Sequence, residues 1–291
     1  MNDTPLFSIL IANYNDGHYL NDALASVERQ TYRNFEVIIV DDCSTDNSKF
    51  FLQGLESKPN YHLFFNDKNH GCGYTKRRCV EMANGDICGF LDADDALTPD
   101  ALEVMVKSHS KHPNTSIIYS RYHFCNRDLA PLYISEHQCT IPEGQSFLEY
   151  KRGAISHFVT FKKSYYNMTL GINDQFRIAE DLDLYFKLEE VGKTLFIDIP
   201  LYYYRNGTGN NTSLNENVVK ASYWEIIAKT EACRRRNLSY EAVELPMIEE
   251  ITNSIVSLKA TDVKQTREYK LGNYLLHPKL FFKNLLNYRP F

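Results

Sequence analysis

The sequence lacks any run of about 18 consecutive apolar residues, the length that a bilayer-spanning helix requires, although 43% of its 291 residues are hydrophobic. A spanning helix is therefore not expected. The first apolar stretch, residues 6–12, follows the polar segment Met1–Pro5 and has neither a basic lead nor a small-residue cleavage site. We therefore expect no signal peptide and a cytoplasmic location.

Paired cysteines are also absent. The seven cysteines are odd in number and scattered, and no two of them form a C-x-x-C pair, so disulfides and a structural zinc site are not expected. The sequence has no G-x-x-x-x-G-K-[ST] phosphate-binding loop either. Its formal net charge of -5 argues against nucleic acid as a partner.

What the sequence does contain is a regular alternation of strand-like and helical patterns in its first third. We predict strands over residues 6–12, 35–40, 62–65 and 87–91, separated by helices over residues 20–30, 50–55 and 73–83. Such alternation is typical of an α/β fold with a mostly parallel central sheet flanked by helices.

The remaining two thirds are less regular. Strands are predicted over residues 116–122 and 196–201, a helix over residues 181–191, and further helices from about residue 218 as a C-terminal extension. We therefore expect one α/β domain made of the halves 1–115 and 116–215, followed by a helical extension over 216–291.

Three aspartates follow the fourth predicted strand, at the edge of the sheet where α/β proteins bind ligands. Asp92, Asp94 and Asp95 are close enough in sequence to point at one position. Clustered carboxylates repel one another unless a cation lies between them, and Mg²⁺ or Mn²⁺ bridging a diphosphate meets that need. The alternative is that these aspartates cap the helix that begins after Thr98.

A second acidic pair, Asp41-Asp42, follows the second strand and also has two interpretations. The segment 41–46 has the composition of an Asx-type turn that caps the next helix. Alternatively, a carboxylate here accepts a hydrogen bond from a nucleobase while Tyr14 packs on the base.

The combination of these segments resembles the opening of the family 2 glycosyltransferases, and the resemblance extends over roughly residues 6–205. The segments that carry it are Phe7–Asn15, Ser26–Asp46, Gly85–Asp86 and Phe90–Asp95. These enzymes have the GT-A fold, move a sugar from a nucleotide-sugar donor, and invert the configuration at the sugar's anomeric carbon. The resemblance therefore implies that residues 1–115 bind the donor and that residues 116–215 supply the acceptor site and the base.

The resemblance also implies roles for individual residues. Asp94 is expected to be the principal ligand of Mn²⁺ or Mg²⁺, with Asp95 beside it, and Asp181 of the Glu180-Asp181 pair is expected to be the catalytic base. The six positions expected to hold the donor are Ala12, Tyr14, Asp42, Arg77, Asp92 and Arg205.

One of these assignments has an alternative, two lie in segments that depart from the family pattern, and one further residue has two interpretations. Asp181 is also suited to be an acid favoured at a helix N-terminus. Arg77 ends a glycine-containing loop, but Arg78 stands where the family has asparagine, and no histidine follows Arg205 where the family often has one. His157, in a strand-like stretch, is either a structural residue or part of the acceptor pocket.

The C-terminal segment 273–289 combines apolar residues with Lys279, Lys283 and Arg289. A helix of this kind either docks on the catalytic domain or a second subunit, giving a homodimer, or rests on the inner face of an anionic membrane that carries lipid-linked acceptors.

Together these features predict a metal-dependent transferase that moves a sugar from a nucleotide-sugar, by analogy a UDP-sugar, to a glycan or lipid-linked acceptor in bacterial surface polysaccharide synthesis. Two alternatives remain. One is a non-catalytic nucleotide-sugar-binding protein on the same fold. The other is a dinucleotide-dependent oxidoreductase, suggested by Gly71 and Gly73, although Lys76 replaces the third glycine of that motif.

Overall fold

The computed structural model describes residues 4–151, 153–208 and 216–239. Its first part alternates strands and helices. The elements are β1 (Phe7–Asn13), α1 (Leu20–Glu28), β2 (Phe35–Asp41), α2 (Ser48–Gln53), β3 (Tyr61–Phe65), α3 (Cys72–Met82) and β4 (Ile87–Phe90). The predicted alternation is confirmed, and its strand and helix limits differ from the prediction by a few residues.

The remaining described elements are β5 (Ala96–Leu97), α4 (Ala101–Lys111), β6 (Thr115–Cys125), β7 (Pro131–Ile134), β8 (Val159–Lys162), α5 (Lys163–Tyr166), α6 (Glu180–Val191), β9 (Lys193–Arg205) and α7 (Glu216–Arg236). The short strand β5 was not predicted, since two residues give too little periodicity to recognise.

The strands form one nine-stranded sheet in the order β3-β2-β1-β4-β8-β6-β9-β5, with β7 paired to β6. The core strands β1 and β2 are almost wholly buried, and β2 is rich in β-branched residues, as expected for strands covered by helices on both faces. Helix α1 buries one stripe of its surface, which includes Leu20, Leu24 and Val27.

The sheet is parallel in one half and mixed in the other. β1, β2, β3 and β4 pair in parallel, as does β6 with β9, whereas β8 is antiparallel to both β4 and β6. β6 and β7 are joined by only a few residues, which permits a hairpin but not a parallel crossover. The α/β class is confirmed, while antiparallel pairing is more extensive than the sequence indicated.

The chain divides into two compact units, Met1–Asn211 and Thr212–Phe291. The first contains the whole sheet, and α7 is the described part of the second. Helix α7 agrees with the helix predicted from residue 218, whereas the rest of the predicted helical extension, including the segment 273–289, lies outside the described residues. None of the helices described is long and apolar enough to cross a bilayer.

Candidate active site

The carboxyl ends of the parallel strands bring four of the predicted donor-binding residues, Ala12, Tyr14, Asp42 and Asp92, to one edge of the sheet. Asn13 pairs with Asp41 at the ends of β1 and β2, and Phe90 of β4 pairs with Leu10 of β1. Ala12 is partly exposed at this edge, and the Tyr14 side chain is 42% exposed. Tyr14 is therefore accessible to a planar ligand, as its predicted role requires.

The two aspartates that follow β2 have different partners. Asp41 accepts hydrogen bonds from Asn13 Nδ2 at 2.7 Å and from the Ser44 N–H at 2.9 Å, which confirms the turn-forming interpretation for this residue. Asp42 is 2% exposed and accepts bonds from Asn66 and from the N–H groups of His70 and Gly71 at 2.6–2.9 Å. Its carboxylate holds the loop that leads into α3.

The turn after β4 places three carboxylates within a short distance. Asp95 is 1% exposed, its N–H donates to the Asp92 carbonyl at 3.1 Å, and its Oδ1 accepts the Arg205 N–H at 2.7 Å. Across the described ranges, no donor meets hydrogen-bond geometry at Asp95 Oδ2, although the Tyr202 hydroxyl interacts with the Asp95 carboxyl group. Helix α4 starts only at Ala101, after Asp100, so Asp92, Asp94 and Asp95 do not cap it.

Nearby positive charge does not fully compensate the negative charges of the carboxylates in this turn. Burial and the neighbouring charges of Asp94 and Asp92 raise the pKa of Asp95 well above its ordinary value. Burial and the Asp92 charge also raise the pKa of Asp94. Buried carboxylates that repel one another ionise together only beside a cation, and Asp95 Oδ2 is an unused oxygen ligand for one.

Arg205, the last residue of β9, is 3% exposed and is engaged by the protein itself. Its guanidinium donates bonds of 2.6 Å each to the Asp94 carbonyl, the Arg127 carbonyl and Asp22 Oδ2, and it lies 4.7 Å from the ring centroid of Tyr19. These contacts fix the turn that carries the aspartates. The predicted contact of Arg205 with the donor stays a prediction.

His157 lies against the same turn. Its ring stacks with Tyr202 and Tyr204, at centroid distances of 5.2 and 5.0 Å. Among the described residues, Asp92, Asp95 and His157 each offer a ligand atom, and these three atoms lie within 4.8 Å of one another. Asp94 is not a member of this group, so its predicted role as principal ligand stays a prediction.

Lys76 of α3 places its ammonium group beside the aspartate turn. Its Nζ lies 2.8 Å from Glu180 Oε1 and 3.7 Å from Asp92 Oδ1, and the Lys76 side chain is 12% exposed. Although burial favours the protonated acid, Lys76 holds the pKa values of Asp92 and Glu180 below their ordinary range. Cys72 Sγ also donates to Glu180 Oε1, at 3.2 Å.

Arg77, predicted from the sequence to approach the nucleotide, is not brought into this cluster. Its Nε pairs with Glu81 at 2.9 Å and its Nη1 donates to the Ile172 carbonyl at 3.1 Å. One residue along a helix turns the side chain by about 100°, which accounts for the different surroundings of Lys76 and Arg77.

Gly73 lets α3 approach the segment that precedes α6. Its N–H donates to the Phe176 carbonyl at 3.1 Å, and a Cβ atom at this position would lie 2.5 Å from that oxygen and 2.6 Å from the Asn173 carbonyl. Protein packing therefore accounts for this glycine without a dinucleotide pyrophosphate.

Asp181 lies in the first turn of α6, beside Glu180. Burial, together with the charge of Glu180, raises the pKa of Asp181 to about 6, in spite of the opposing effect of Lys76. Its Oδ1 accepts the N–H of Leu182 at 2.7 Å. A carboxylate that is ionised at neutral pH but has a raised pKa is suited to accept a proton.

Solved structures share this fold. A crystal structure of Staphylococcus aureus TarS 1-349 in complex with UDP-GlcNAc superposes with a TM-score of 0.60 at 18% identity, covering 91% of this chain and 78% of that one. A mannosyltransferase from Pyrobaculum calidifontis, in complex with GDP-Man and Mn²⁺, superposes with a TM-score of 0.60 at 14% identity, covering 99% and 89%. The fold is therefore that of the GT-A transferases.

The sequence comparison identifies the family. The sequence profile of glycosyl transferase family 2 matches residues 8–168, more than half of the chain, and the chain belongs to this family. It is 31% identical over 230 residues to a chondroitin synthase of Escherichia coli, covering 77% of this chain and 32% of that protein. It is 28% identical over 247 residues to a hyaluronan synthase of Pasteurella multocida, covering 82% and 24%. The chain thus spans a third or less of the length of these relatives.

Proposed function

We propose that the chain transfers a sugar from a UDP-sugar to an acceptor hydroxyl, with inversion at the anomeric carbon and dependence on a divalent metal. The observation that carries the proposal is the proximity of two chemically distinct carboxylate sites. One is the turn at Asp92, Asp94 and Asp95, which has an unused buried oxygen. The other is Asp181, joined to that turn through Glu180 and Lys76.

The residues of the turn fit a divalent cation because Asp95 Oδ2 is buried without a hydrogen-bond partner in the described structure and further ligand atoms lie within 4.8 Å. Asp94 and Asp95 are the proposed carboxylate ligands, and Asp92 is proposed to contribute to the same metal shell. A bound Mn²⁺ or Mg²⁺ supplies positive charge that stabilises a departing nucleoside diphosphate. Tyr14, Ala12 and Asp42 are proposed to form the nucleobase end of the site.

Asp181 is the proposed base. Direct displacement at the anomeric carbon requires the acceptor hydroxyl to lose its proton as the new bond forms, and a carboxylate within hydrogen-bond reach accepts it. One displacement gives inversion. Relatives named as chondroitin and hyaluronan synthases support a hexosyl or hexosaminyl donor and a place in bacterial cell-surface polysaccharide synthesis.

Calorimetry tests the donor proposal. UDP, GDP and dTDP are titrated into the full chain with and without Mn²⁺, and we expect UDP to bind most tightly and only weakly when the metal is removed. Equal affinities with and without Mn²⁺ would contradict the metal dependence.

A comparison of Asp181→Asn with wild type distinguishes an enzyme from a non-catalytic binding protein. The variant should bind UDP and Mn²⁺ like wild type while transfer falls by about 10²- to 10⁴-fold. Unchanged transfer would remove Asp181 from the reaction, and absence of transfer by wild type across a UDP-sugar panel would favour the binding protein.

A further inference from the structure

Three aromatic side chains hold the His157 ring in place. Its ring lies against Tyr202 and Tyr204 at interplanar angles of 12° and 20°, and Tyr122 meets its edge at 81°. Three aromatic contacts leave the imidazole little rotational freedom. A ring held in this way presents its nitrogens in constant directions, as a ligand must.

The atoms beside this ring are carboxylate oxygens of two aspartates. The ligand atoms of Asp92, Asp95 and His157 lie within 4.8 Å of one another. Ligands around one divalent ion, with bonds of about 2.0–2.2 Å, lie up to about 4.4 Å apart. The observed separation therefore needs only a small inward movement of the three side chains to enclose an ion.

The exposure of the three residues also suits a metal site. Asp95 is 1% exposed and one of its carboxylate oxygens has no partner among the described residues, whereas the Asp92 side chain is 35% exposed and His157 is partly exposed. An ion at this position would be held by a buried carboxylate oxygen of Asp95 and would remain accessible to solvent on the side of Asp92.

We propose that His157 is a direct nitrogen ligand of the divalent metal, completing a site with Asp92 and Asp95. The inference rests on the proposed metal dependence and adds a ligand from the segment before β8, far in sequence from the aspartate turn. It also predicts a metal preference, because imidazole nitrogen suits transition metals while Mg²⁺ takes oxygen ligands. The site should accordingly favour Mn²⁺ over Mg²⁺.

A second histidine offers a matched control. His123 of β6 stacks on Tyr203 of β9 at 4.9 Å and 16°, much as His157 stacks on Tyr202 and Tyr204. Because successive residues of a strand point to opposite faces, Tyr203 is directed away from the face that holds His157. Replacing His123 therefore removes a similar ring stack without touching the Asp92 and Asp95 group.

The experiment loads the full chain with Mn²⁺ and records electron spin echo envelope modulation. Wild type should show nitrogen modulation that changes when histidine is labelled with ¹⁵N, and His157→Ala should lose it while His123→Ala retains it. Titration should give His157→Ala a Kd for Mn²⁺ at least about tenfold weaker, with a smaller change for Mg²⁺. His157→Asn serves as a second variant if the alanine variant does not fold.

The possible results separate the role of His157 from the proposed metal dependence. Mn²⁺ bound to wild type without histidine nitrogen modulation, or modulation that persists in a folded His157 variant, would overturn the role of His157 and leave the proposed function standing. Failure of wild type to bind Mn²⁺ at all, with or without UDP, would overturn both the metal dependence and this ligand. Loss of the modulation with His123→Ala alone would also overturn the assignment.

Discussion

Arg205 donates its main-chain N–H to Asp95 Oδ1 at 2.7 Å and its guanidinium Nε to the Asp94 carbonyl at 2.6 Å. The end of β9 therefore holds both the backbone and one carboxylate of the aspartate turn. We therefore expect Arg205 to support the aspartate turn, since the guanidinium bonds described above are directed to the protein.

Arg205→Met tests this positioning. The variant retains the main-chain bond to Asp95 but leaves the Asp94 and Arg127 carbonyls without their charged donor, so we expect a loss of about 2–4 kcal/mol in unfolding free energy and at least about tenfold weaker Mn²⁺ binding. Urea unfolding and Mn²⁺ titration measure the two effects.

The control for Arg205 is Arg33→Met. Arg33 is exposed and donates to the Glu28 carbonyl at 3.1 Å, so its replacement should change stability by less than about 0.5 kcal/mol. Wild-type Mn²⁺ affinity in Arg205→Met would contradict the positioning role.

Methionine substitutions at the neighbouring residues Lys76 and Arg77 compare a buried ion pair with a partly exposed one. Lys76→Met leaves Glu180 and Asp92 without their shared cation, and removal of one partner from a buried pair costs about 3–5 kcal/mol. Arg77→Met breaks a partly exposed pair with Glu81, at a cost of about 0–1 kcal/mol. Chemical unfolding of both variants measures the difference, and equal losses would contradict the structural distinction between the two cations.

The pH dependence of sugar transfer should reflect the ionisation of Asp181. Its pKa is raised to about 6, and a base must be ionised to accept a proton, so kcat/KM should fall as the pH is lowered through about 6. Lys76→Met should move this acid limb to higher pH, because the lysine charge lowers the pKa of Asp181. Initial rates between about pH 4.5 and 8 test this, and a limb near pH 4 would point to a different group.

At neutral pH, the ionised Asp181 carboxylate should lower the free energy of unfolding. A carboxyl whose pKa is raised by folding favours the folded state when protonated, so the penalty grows as pH rises from the unfolded value of 3.8 to the folded value of about 6 and then stays constant. Asp181→Asn should therefore stabilise the fold by about 1–3 kcal/mol at pH 8 and by almost nothing below about pH 4.

The matched control is Asp128→Asn, at an exposed position, which should change the unfolding free energy by less than about 0.5 kcal/mol at either pH. A destabilised Asp181→Asn at pH 8 would show that the carboxylate is needed for the fold.

Glu36 offers a test of stability away from the site. It is 5% exposed and accepts bonds from Ser8 Oγ, the Asn84 N–H and the Gly85 N–H at 2.5–3.1 Å. These bonds outweigh burial and lower the pKa of Glu36 below 4.5. Its contribution is thus present above about pH 4.5 and lost as pH falls through the lower folded value.

Glu36→Gln should cost about 1–3 kcal/mol at pH 7 and leave UDP binding unchanged, as measured by urea unfolding and calorimetry. Ser110→Ala, at a partly buried hydroxyl bonded to the Val106 carbonyl, should cost less than about 1 kcal/mol. Weakened UDP binding in a folded Glu36→Gln would contradict its purely structural role.

Sequence periodicity predicted the fold because strands such as β1 and β2 are continuous β-prone runs bounded by polar turns. It also placed Asp92, Asp42 and Asp181 at strand and helix ends. It did not reveal the Lys76 to Glu180 pair, which joins residues about a hundred positions apart, nor which of Lys76 and Arg77 is directed to the site. Such contacts depend on helix rotation and on packing between distant segments, which no local pattern records.

The bond between Asp95 and Arg205 joins the first third of the polypeptide to a strand completed 110 residues later. During synthesis the aspartate turn emerges long before β9, so its final geometry waits for residue 205 to be made and inserted into the sheet. A nascent or prematurely terminated chain contains the acidic residues but lacks the β9 contacts that position them. The chain therefore becomes able to bind a donor only late in folding.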